Sequence, residues 1–316
     1  MIKIIMLISV SLGLYASSLI MPQKTYKANG AVTDIVYKTG KLYVSTSASC
    51  VDVFDIKENK IVKTIKIPKI KDFMGDEIDA KVYSVDTLND SILLLSQAEH
   101  GYRKVDIHND KGSSTVLDIS EKLYIAKAKF LDKDTILLGL LSNDIISYDI
   151  HTHKKNWMVQ ASQSKFSNFQ LNEDKSKVVI ADESGDLHIL STKDGSLIKT
   201  LSGENLDNVF QVDYKNNFII SGGQDRRAVV YDLKSKSAYF KQSSFIVYSV
   251  GLSPSAKIGA YASDENNNVT LFKVSTQSKL GVYGGNSMTI TNILFINEKE
   301  FFISSDDRII NFYTLK

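Results

Sequence analysis

The sequence predicts an all-β fold, a seven-bladed β-propeller, and two observations carry this prediction. The first is a repeated marker of three residues. An aromatic or apolar residue comes first, the middle residue is often Asp, and an apolar residue comes last. The central positions of its seven copies are Asp55, Asp106, Asp149, Leu190, Asp232, Lys273 and Thr314. The first step is 51 residues and the later steps are 41 to 43 residues. A period of roughly 40–45 residues is typical of a four-stranded propeller blade.

The second observation is that each repeat contains short runs of β-branched and aromatic residues separated by Gly, Asn and Asp. In the fifth repeat the predicted strands are 209–213, 217–221, 228–233 and 236–240. In the sixth repeat they are 247–252, 258–263, 268–274 and 279–283. No long helical pattern interrupts the series, so the repeats are expected to form one all-β domain.

The two ends of the chain are predicted to close the ring. Lys316 follows directly on the third strand of the seventh repeat, which leaves that blade one strand short. An open blade would expose an unpaired strand edge. Residues 19–27 have an extended character and precede the first strand of the first repeat. We therefore expect them to supply the outer strand of the last blade.

The N-terminus has the pattern of a cleavable signal peptide. Met1-Ile2-Lys3 is a short positive start, residues 4–14 are apolar, and Leu14-Tyr15-Ala16 offers a cleavage site after Ala16. The predicted organisation is a signal peptide over 1–16 and a propeller over 17–316, with a periplasmic location. No cysteine stands directly after the cleavage site, so a lipoprotein anchor is not expected. The alternative is an uncleaved N-terminal anchor.

Composition argues against several classes of function. The 38 Lys and Arg nearly balance the 36 Asp and Glu, which gives no electrostatic footprint for nucleic acid. Cys50 is the only cysteine, so the chain contains no internal disulfide, c-type haem motif or cysteine-based metal centre. There is no Gly-x-Ser-x-Gly elbow and no phosphate-binding glycine loop. We therefore expect a protein that is not an enzyme and has no cofactor. We also expect a monomer.

Two histidines and the cysteine are candidates for metal binding and for thiol reactivity. His151 and His153 would share one face of a strand, where they could bind copper or zinc, but they follow Asp149-Ile150 in a predicted turn and have no third ligand nearby. A solvated turn is the alternative. Cys50 is also predicted to lie in a turn, where the thiol is either reactive or inert.

The four arginines are the main candidates for binding a protein partner. Arg103, Arg226, Arg227 and Arg308 all fall at the predicted turn between the second and third strands of a blade. The residues six positions before each marker are also all polar: Ser49, His100, Asn143, Ser184, Arg226, Asn267 and Arg308. This pattern predicts a recognition face with an arginine-bearing polar ring. The alternative is local pairing, of Arg227 with Asp225 and of Arg308 with Asp306.

The same face is expected to carry the longest insertion. The extra residues of the first repeat fall mainly within 67–77, and long loops on rigid scaffolds often carry function. Phe73 and Met74 lie in this loop among charged residues. They are either an exposed apolar anchor for a partner or side chains that tuck under the loop.

Residues 221–233, with the sequence SGGQDRRAVVYDL, resemble the WD40 signature. The chain departs from that signature because no Trp-Asp pair and no Gly-His pair is present, and Trp157 lies elsewhere. The buried Asp-His-Ser-Trp network of the WD40 family is therefore not expected. A WD40-like propeller whose blades rely on apolar packing is the prediction.

In export signal, length, degenerate WD40-like blades and general sequence character, residues 17–316 resemble the periplasmic nitrate reductase accessory proteins of the NapL family. The resemblance implies a periplasmic scaffold that binds nitrate reductase subunits and assists maturation of, or electron supply to, a molybdenum enzyme. It implies no catalytic residues. The alternatives are an outer-membrane assembly-type propeller scaffold, a cofactor- or metal-binding propeller, and a propeller that binds a small ligand or sugar.

Overall fold

Seven four-stranded antiparallel sheets are arranged in a ring, which confirms the predicted seven-bladed β-propeller. This computed structural model describes residues 19–315, so the predicted signal peptide over 1–16 lies outside the described residues. The first strand of each blade contacts the first strands of both neighbouring blades, and the first and seventh blades also meet in this way. These seven strands surround a central channel.

The strands are named in chain order. Strand β1 is Lys24–Lys27, and blade 1 consists of β2 (Val32–Lys38), β3 (Lys41–Thr46), β4 (Cys50–Asp55) and β5 (Lys60–Lys66). A two-stranded hairpin follows, with β6 (Ile70–Lys71) and β7 (Glu77–Ile78). Blade 2 consists of β8 (Val82–Leu88), β9 (Ser91–Gln97), β10 (Arg103–Asn109) and β11 (Gly112–Leu117). Blade 3 consists of β12 (Ile125–Phe130), β13 (Thr135–Leu140), β14 (Asp144–Asp149) and β15 (Lys154–Gln160).

The remaining blades repeat this plan. Blade 4 consists of β16 (Phe166–Leu171), β17 (Lys177–Asp182), β18 (Leu187–Ser191) and β19 (Leu197–Leu201). Blade 5 consists of β20 (Val209–Lys215), β21 (Phe218–Gly223), β22 (Arg227–Asp232) and β23 (Ser237–Gln242). Blade 6 consists of β24 (Val250–Leu252), β25 (Ile258–Ala262), β26 (Val269–Lys273) and β27 (Lys279–Tyr283). Blade 7 has β28 (Ile290–Phe295), β29 (Glu300–Ser305) and β30 (Ile309–Thr314). Two short 3-10 helices, Glu99–Gly101 and Ile119–Glu121, lie in loops.

The core lies between adjacent blades. The two middle strands of each blade are rich in Val, Ile, Leu and Phe because both of their faces are covered by neighbouring sheets. Between blades 4 and 5, for example, Val179 and Ile189 pack in one cluster with Val212 and Ile219. The strands predicted for the fifth and sixth repeats are found, with shifted ends.

One shifted end has a clear cause in blade 6. The first strand was expected over 247–252 but begins at Val250. The backbone N–H of Val247 instead donates to the carbonyl of Gly223 in blade 5 at 3.1 Å, so this part of the chain belongs to the connection between the two blades.

The N-terminal segment closes the ring as predicted. Strand β1 pairs antiparallel with β30 and is the outer strand of blade 7, with Tyr26 opposite Ile310. Just upstream, Ile20 bridges Tyr283 in the outer strand of blade 6. The N–H of Ile20 donates to the carbonyl of Val282 at 2.8 Å. The segment therefore binds two consecutive blades.

Apolar side chains pack between the blades, as predicted. Buried polar groups, which the sequence analysis did not predict, also join the loops to the strands. In blade 5 the Ser221 hydroxyl donates to Asn205 Oδ1 at 2.6 Å, and the Tyr231 hydroxyl donates to the same oxygen at 3.3 Å. In blade 7 the Tyr313 hydroxyl donates to the carbonyl of Gly284 at 2.8 Å. Asn and Tyr thus take part in buried networks that contain no Trp.

Candidate interaction face

Successive antiparallel strands place their turns at alternating ends of a blade. The turns between second and third strands therefore lie on the same side of the ring as the connections between blades, and we name this side the upper face. The turns between first and second strands, and between third and fourth strands, form the lower face. All four arginines lie at the upper face, as predicted, because each lies at or next to the start of a third strand.

Exposed large apolar side chains are distributed unequally over the two faces. Nine lie in upper-face loops: Phe73, Met74, Ile78, Ile119, Tyr124, Leu141, Leu206, Phe245 and Met288. Within residues 19–315 the others lie on outer strands or in the N-terminal segment, and none lies in a lower-face turn: Leu19, Met21, Val62, Met158, Leu197, Ile198 and Phe240. Large contiguous apolar patches on a protein surface often mark interaction sites.

The insertion in the first repeat is a hairpin, β6–β7, that stands on the upper face. The Asp72 carboxylate shapes its tip, because Oδ1 accepts the N–H groups of Met74 at 2.8 Å and Asp76 at 3.0 Å. Phe73 is 95% exposed and Met74 is 72% exposed. Of the two interpretations of this loop, the exposed apolar tip is confirmed and the tucked arrangement is wrong.

His100 lies beside this hairpin. It occupies the 3-10 helix in the turn of blade 2, and Gln97, His100, Ile70, Phe73 and Met74 all line one open groove of about 1100 Å³. The structure therefore brings His100 of the polar ring together with Phe73 and Met74 of the insertion, which the sequence analysis proposed separately. Their meeting follows from the fold, since the connection out of blade 1 and the turn of blade 2 share the upper face.

Two of the arginines lie over aromatic rings. The Arg103 guanidinium lies 4.0 Å from the centre of the Tyr83 ring and donates to the carbonyl of Gly101 at 2.5 Å. The Arg227 guanidinium lies 4.2 Å from the centre of the Phe240 ring and donates to the carbonyl of Glu204 at 2.8 Å. These cation–π contacts hold both side chains close to the blades.

The proposed pairing of arginines with local carboxylates is wrong. Asp225 accepts the backbone N–H of Arg227 at 3.0 Å, and Asp307 rather than Asp306 accepts the backbone N–H of Arg308 at 2.6 Å. No guanidinium forms an ion pair within residues 19–315. Arg226 and Arg308 are exposed, and their side chains have no hydrogen-bond partner in the described part of the chain.

The polar ring has a conformational cause. Five of its seven members adopt positive φ angles, which Asn and other polar residues tolerate better than β-branched ones: Ser49, His100, Asn143, Arg226 and Asn267. Two of these do not reach the surface of the face. Asn143 is fully buried and donates to Asp182 at 2.9 Å, and the buried Ser49 donates to Asp79 at 3.1 Å. The predicted ring is therefore partly internal.

The remaining candidates show no site chemistry. His151 and His153 lie in a turn and have separate partners, the Asp134 carboxylate at 2.9 Å and the carbonyl of Val116 at 3.1 Å. Across residues 19–315 no group of three potential metal ligands occurs. Cys50 was placed in a turn, but it begins β4 and is buried, and burial raises the pKa of its thiol. A reactive thiolate is disfavoured there.

The fold and this face define a seven-bladed β-propeller with one apolar, arginine-bearing side. Neither a protein-family model nor a curated protein matches this chain. In the part of the chain described, neither short helix has the length and apolar character needed to cross a membrane. Sequence reasoning missed Leu206, Phe245 and Met288, whose only signal was an apolar residue in a short polar connection.

Proposed function

We propose that this chain is a non-catalytic scaffold that holds a protein partner on its upper face. The observation that carries the proposal is the one-sided distribution of exposed apolar residues. Phe73 and Met74, at the tip of the hairpin, have the largest exposed fractions among them. Binding sites commonly combine such anchors with arginine, and Arg226 and Arg308 lie on the same face with free guanidinium groups.

The partner we propose is a subunit of the periplasmic nitrate reductase system. Support for this finer step comes from the sequence: the signal-peptide pattern, the chain length and the degenerate WD40-like blades resemble the NapL accessory proteins. In this role the propeller assists maturation of, or electron supply to, the reductase and is located in the periplasm. Its own residues bind and position the partner and take no part in the chemistry.

Affinity capture from the native periplasm tests both steps of the proposal. The double variant F73S/M74S removes the hairpin anchor, and R226A/R308A removes the two free guanidinium groups. The control is L197S/I198S, which makes the same kind of change at exposed residues of the outer strand β19. We expect the unaltered chain and the control to recover nitrate reductase subunits, and each upper-face variant to recover at least tenfold less.

The possible outcomes test the assignment of the upper face and the identity of the partner independently. Equal recovery by all four proteins, each folded by circular dichroism, would contradict the assignment of the upper face. Recovery of outer-membrane assembly components would keep the scaffold but replace its partner with the alternative. Loss in F73S/M74S but not in R226A/R308A would remove the arginines from the site.

A further inference from the structure

The central channel carries polar side chains at a level set by a repeated backbone irregularity. In six of the seven blades the pairing of first and second strands shifts register at the same point, as at Ile125/Lys127 in blade 3. A β-bulge of this kind re-aims the side chain that follows it. Five of the residues just after the shift line the channel cavity: Asp34, Lys127, Asn168, Gln211 and Asn292.

One sector of this channel is rich in unused hydrogen-bond donors. Lys127 Nζ donates to Asn168 Oδ1 at 3.0 Å and has no carboxylate within 4.0 Å. The amide nitrogen of Asn168 and the side chain of Gln170 make no hydrogen bond within the described residues. An ammonium has three donors and a primary amide nitrogen has two, so most of the donors here are free.

Three acidic side chains of the channel already accept hydrogen bonds from other protein groups. Asp34 pairs with Lys129 at 3.3 Å and also accepts the N–H of Val85 at 3.2 Å. Asp86 accepts a backbone N–H of blade 3 at 2.8 Å, and Asp213 accepts one of blade 6 at 2.9 Å. The full set of charged residues that line the channel with Lys127 is Asp34, Asp86, Lys129, Glu173, Lys175, Asp213 and Lys215.

The opposite wall of the channel carries apolar side chains beside the polar residues Asp34 and Asn292. Val36, Leu252 and Leu294 line it from blades 1, 6 and 7. In a ring of seven blades these stand across from blades 3 and 4, which carry Lys127 and Asn168. The cavity has a volume of about 340 Å³, which is within the range of small-molecule sites.

We propose that the central channel binds a small organic carboxylate. Lys127 and Asn168 hold the carboxylate oxygens with charge-assisted and neutral hydrogen bonds. The apolar side chains of the opposite wall contact a short hydrocarbon body. This site is separate from the upper face and does not depend on the proposed partner. Burial, together with the neighbouring Lys129, lowers the pKa of the Lys127 amine to about 8. Asp34, Asp213 and Asp86 raise this pKa from beyond ion-pair distance, and a bound carboxylate supplies the direct ion pair that they do not form.

Isothermal titration calorimetry on the folded mature chain tests the site with butyrate and succinate as probes. 1-Butanol is the uncharged comparison for butyrate. We expect at least one carboxylate to bind, 1-butanol to bind at least tenfold more weakly than butyrate, and K127M to weaken carboxylate binding at least tenfold. The control K199M removes an exposed lysine of β19 and should leave the affinity unchanged. Absence of binding by both carboxylates, or equal affinities of K127M and K199M, would overturn the proposal.

The unaltered protein provides a second test that does not require K127M to fold. Both probes remain ionised above pH 7, so a loss of affinity reflects a change of protonation in the protein and not in the probe. With a pKa of about 8 for Lys127, the charged fraction falls about tenfold between pH 7 and pH 9. The carboxylate affinity should fall by about the same factor. An affinity that stays constant over this range would exclude Lys127 from the site.

Discussion

Asp182 shows how single polar residues support this fold. Its carboxylate is fully buried and accepts hydrogen bonds from Asn143 at 2.9 Å and from Ser162 at 2.5 Å. Ser184 also donates to it, and the His188 ring lies 3.6 Å away. Burial raises the pKa of Asp182, but His188 and the two serine hydroxyls outweigh it and hold the pKa well below its usual value. The ionised carboxylate is therefore the form that the fold stabilises.

We predict that D182N lowers the free energy of unfolding by about 3 kcal/mol at pH 7, because buried donors lose a charged acceptor. A carboxyl group whose pKa is lower in the folded state contributes stability above its unfolded pKa, which is about 3.9. That contribution is lost as the pH falls through the folded value. The difference between the unaltered protein and D182N should therefore shrink below pH 4. Urea unfolding at pH 7, 5 and 3 measures it, and a difference that stays constant would contradict this role.

At the scale of elements, the N-terminal strand completes the last blade and helps to close the ring. The Tyr26 ring packs edge-on against Phe54 of blade 1 and Phe302 of blade 7, with both pairs of ring centres 5.6 Å apart. Its hydroxyl donates to the carbonyl of Ile56 at 3.0 Å. One side chain on β1 therefore joins the first and last blades.

We predict that Y26A lowers the free energy of unfolding by about 4 kcal/mol, because it leaves a cavity at this junction. Y26F, which keeps the ring, should cost only about 1 kcal/mol, the contribution of the hydroxyl hydrogen bond. Denaturant unfolding of both variants measures the two effects. If Y26A unfolds within 1 kcal/mol of the unaltered protein, closure does not depend on this strand.

At the scale of the whole molecule, the sequence predicted the features that repetition creates. The period of the markers and the chain end without a fourth strand predicted seven blades and the position of β1. The same repetition placed the arginines and the insertion on one face, because every blade turns in the same way.

Features that depend on contacts between distant segments could not be predicted. Exposure of Phe73 and Met74 was left open because it depends on whether another segment covers the loop. The Arg227 guanidinium contacts the Phe240 ring and the carbonyl of Glu204, so its position depends on three separate stretches of chain. The channel site has the same origin, since Lys127 and Asn168 are neighbours only because two successive blades carry a bulge at the same level.

Site-specific photo-crosslinking in cells that produce the protein tests most directly the claim that the upper face holds a protein partner. A photoreactive phenylalanine derivative replaces Phe73 at the tip of the hairpin and, as the control, the exposed Lys193 in a lower-face turn. We predict one discrete crosslinked protein from position 73 and none from position 193. Crosslinking from position 193 with none from position 73 would contradict the assignment of the interaction face.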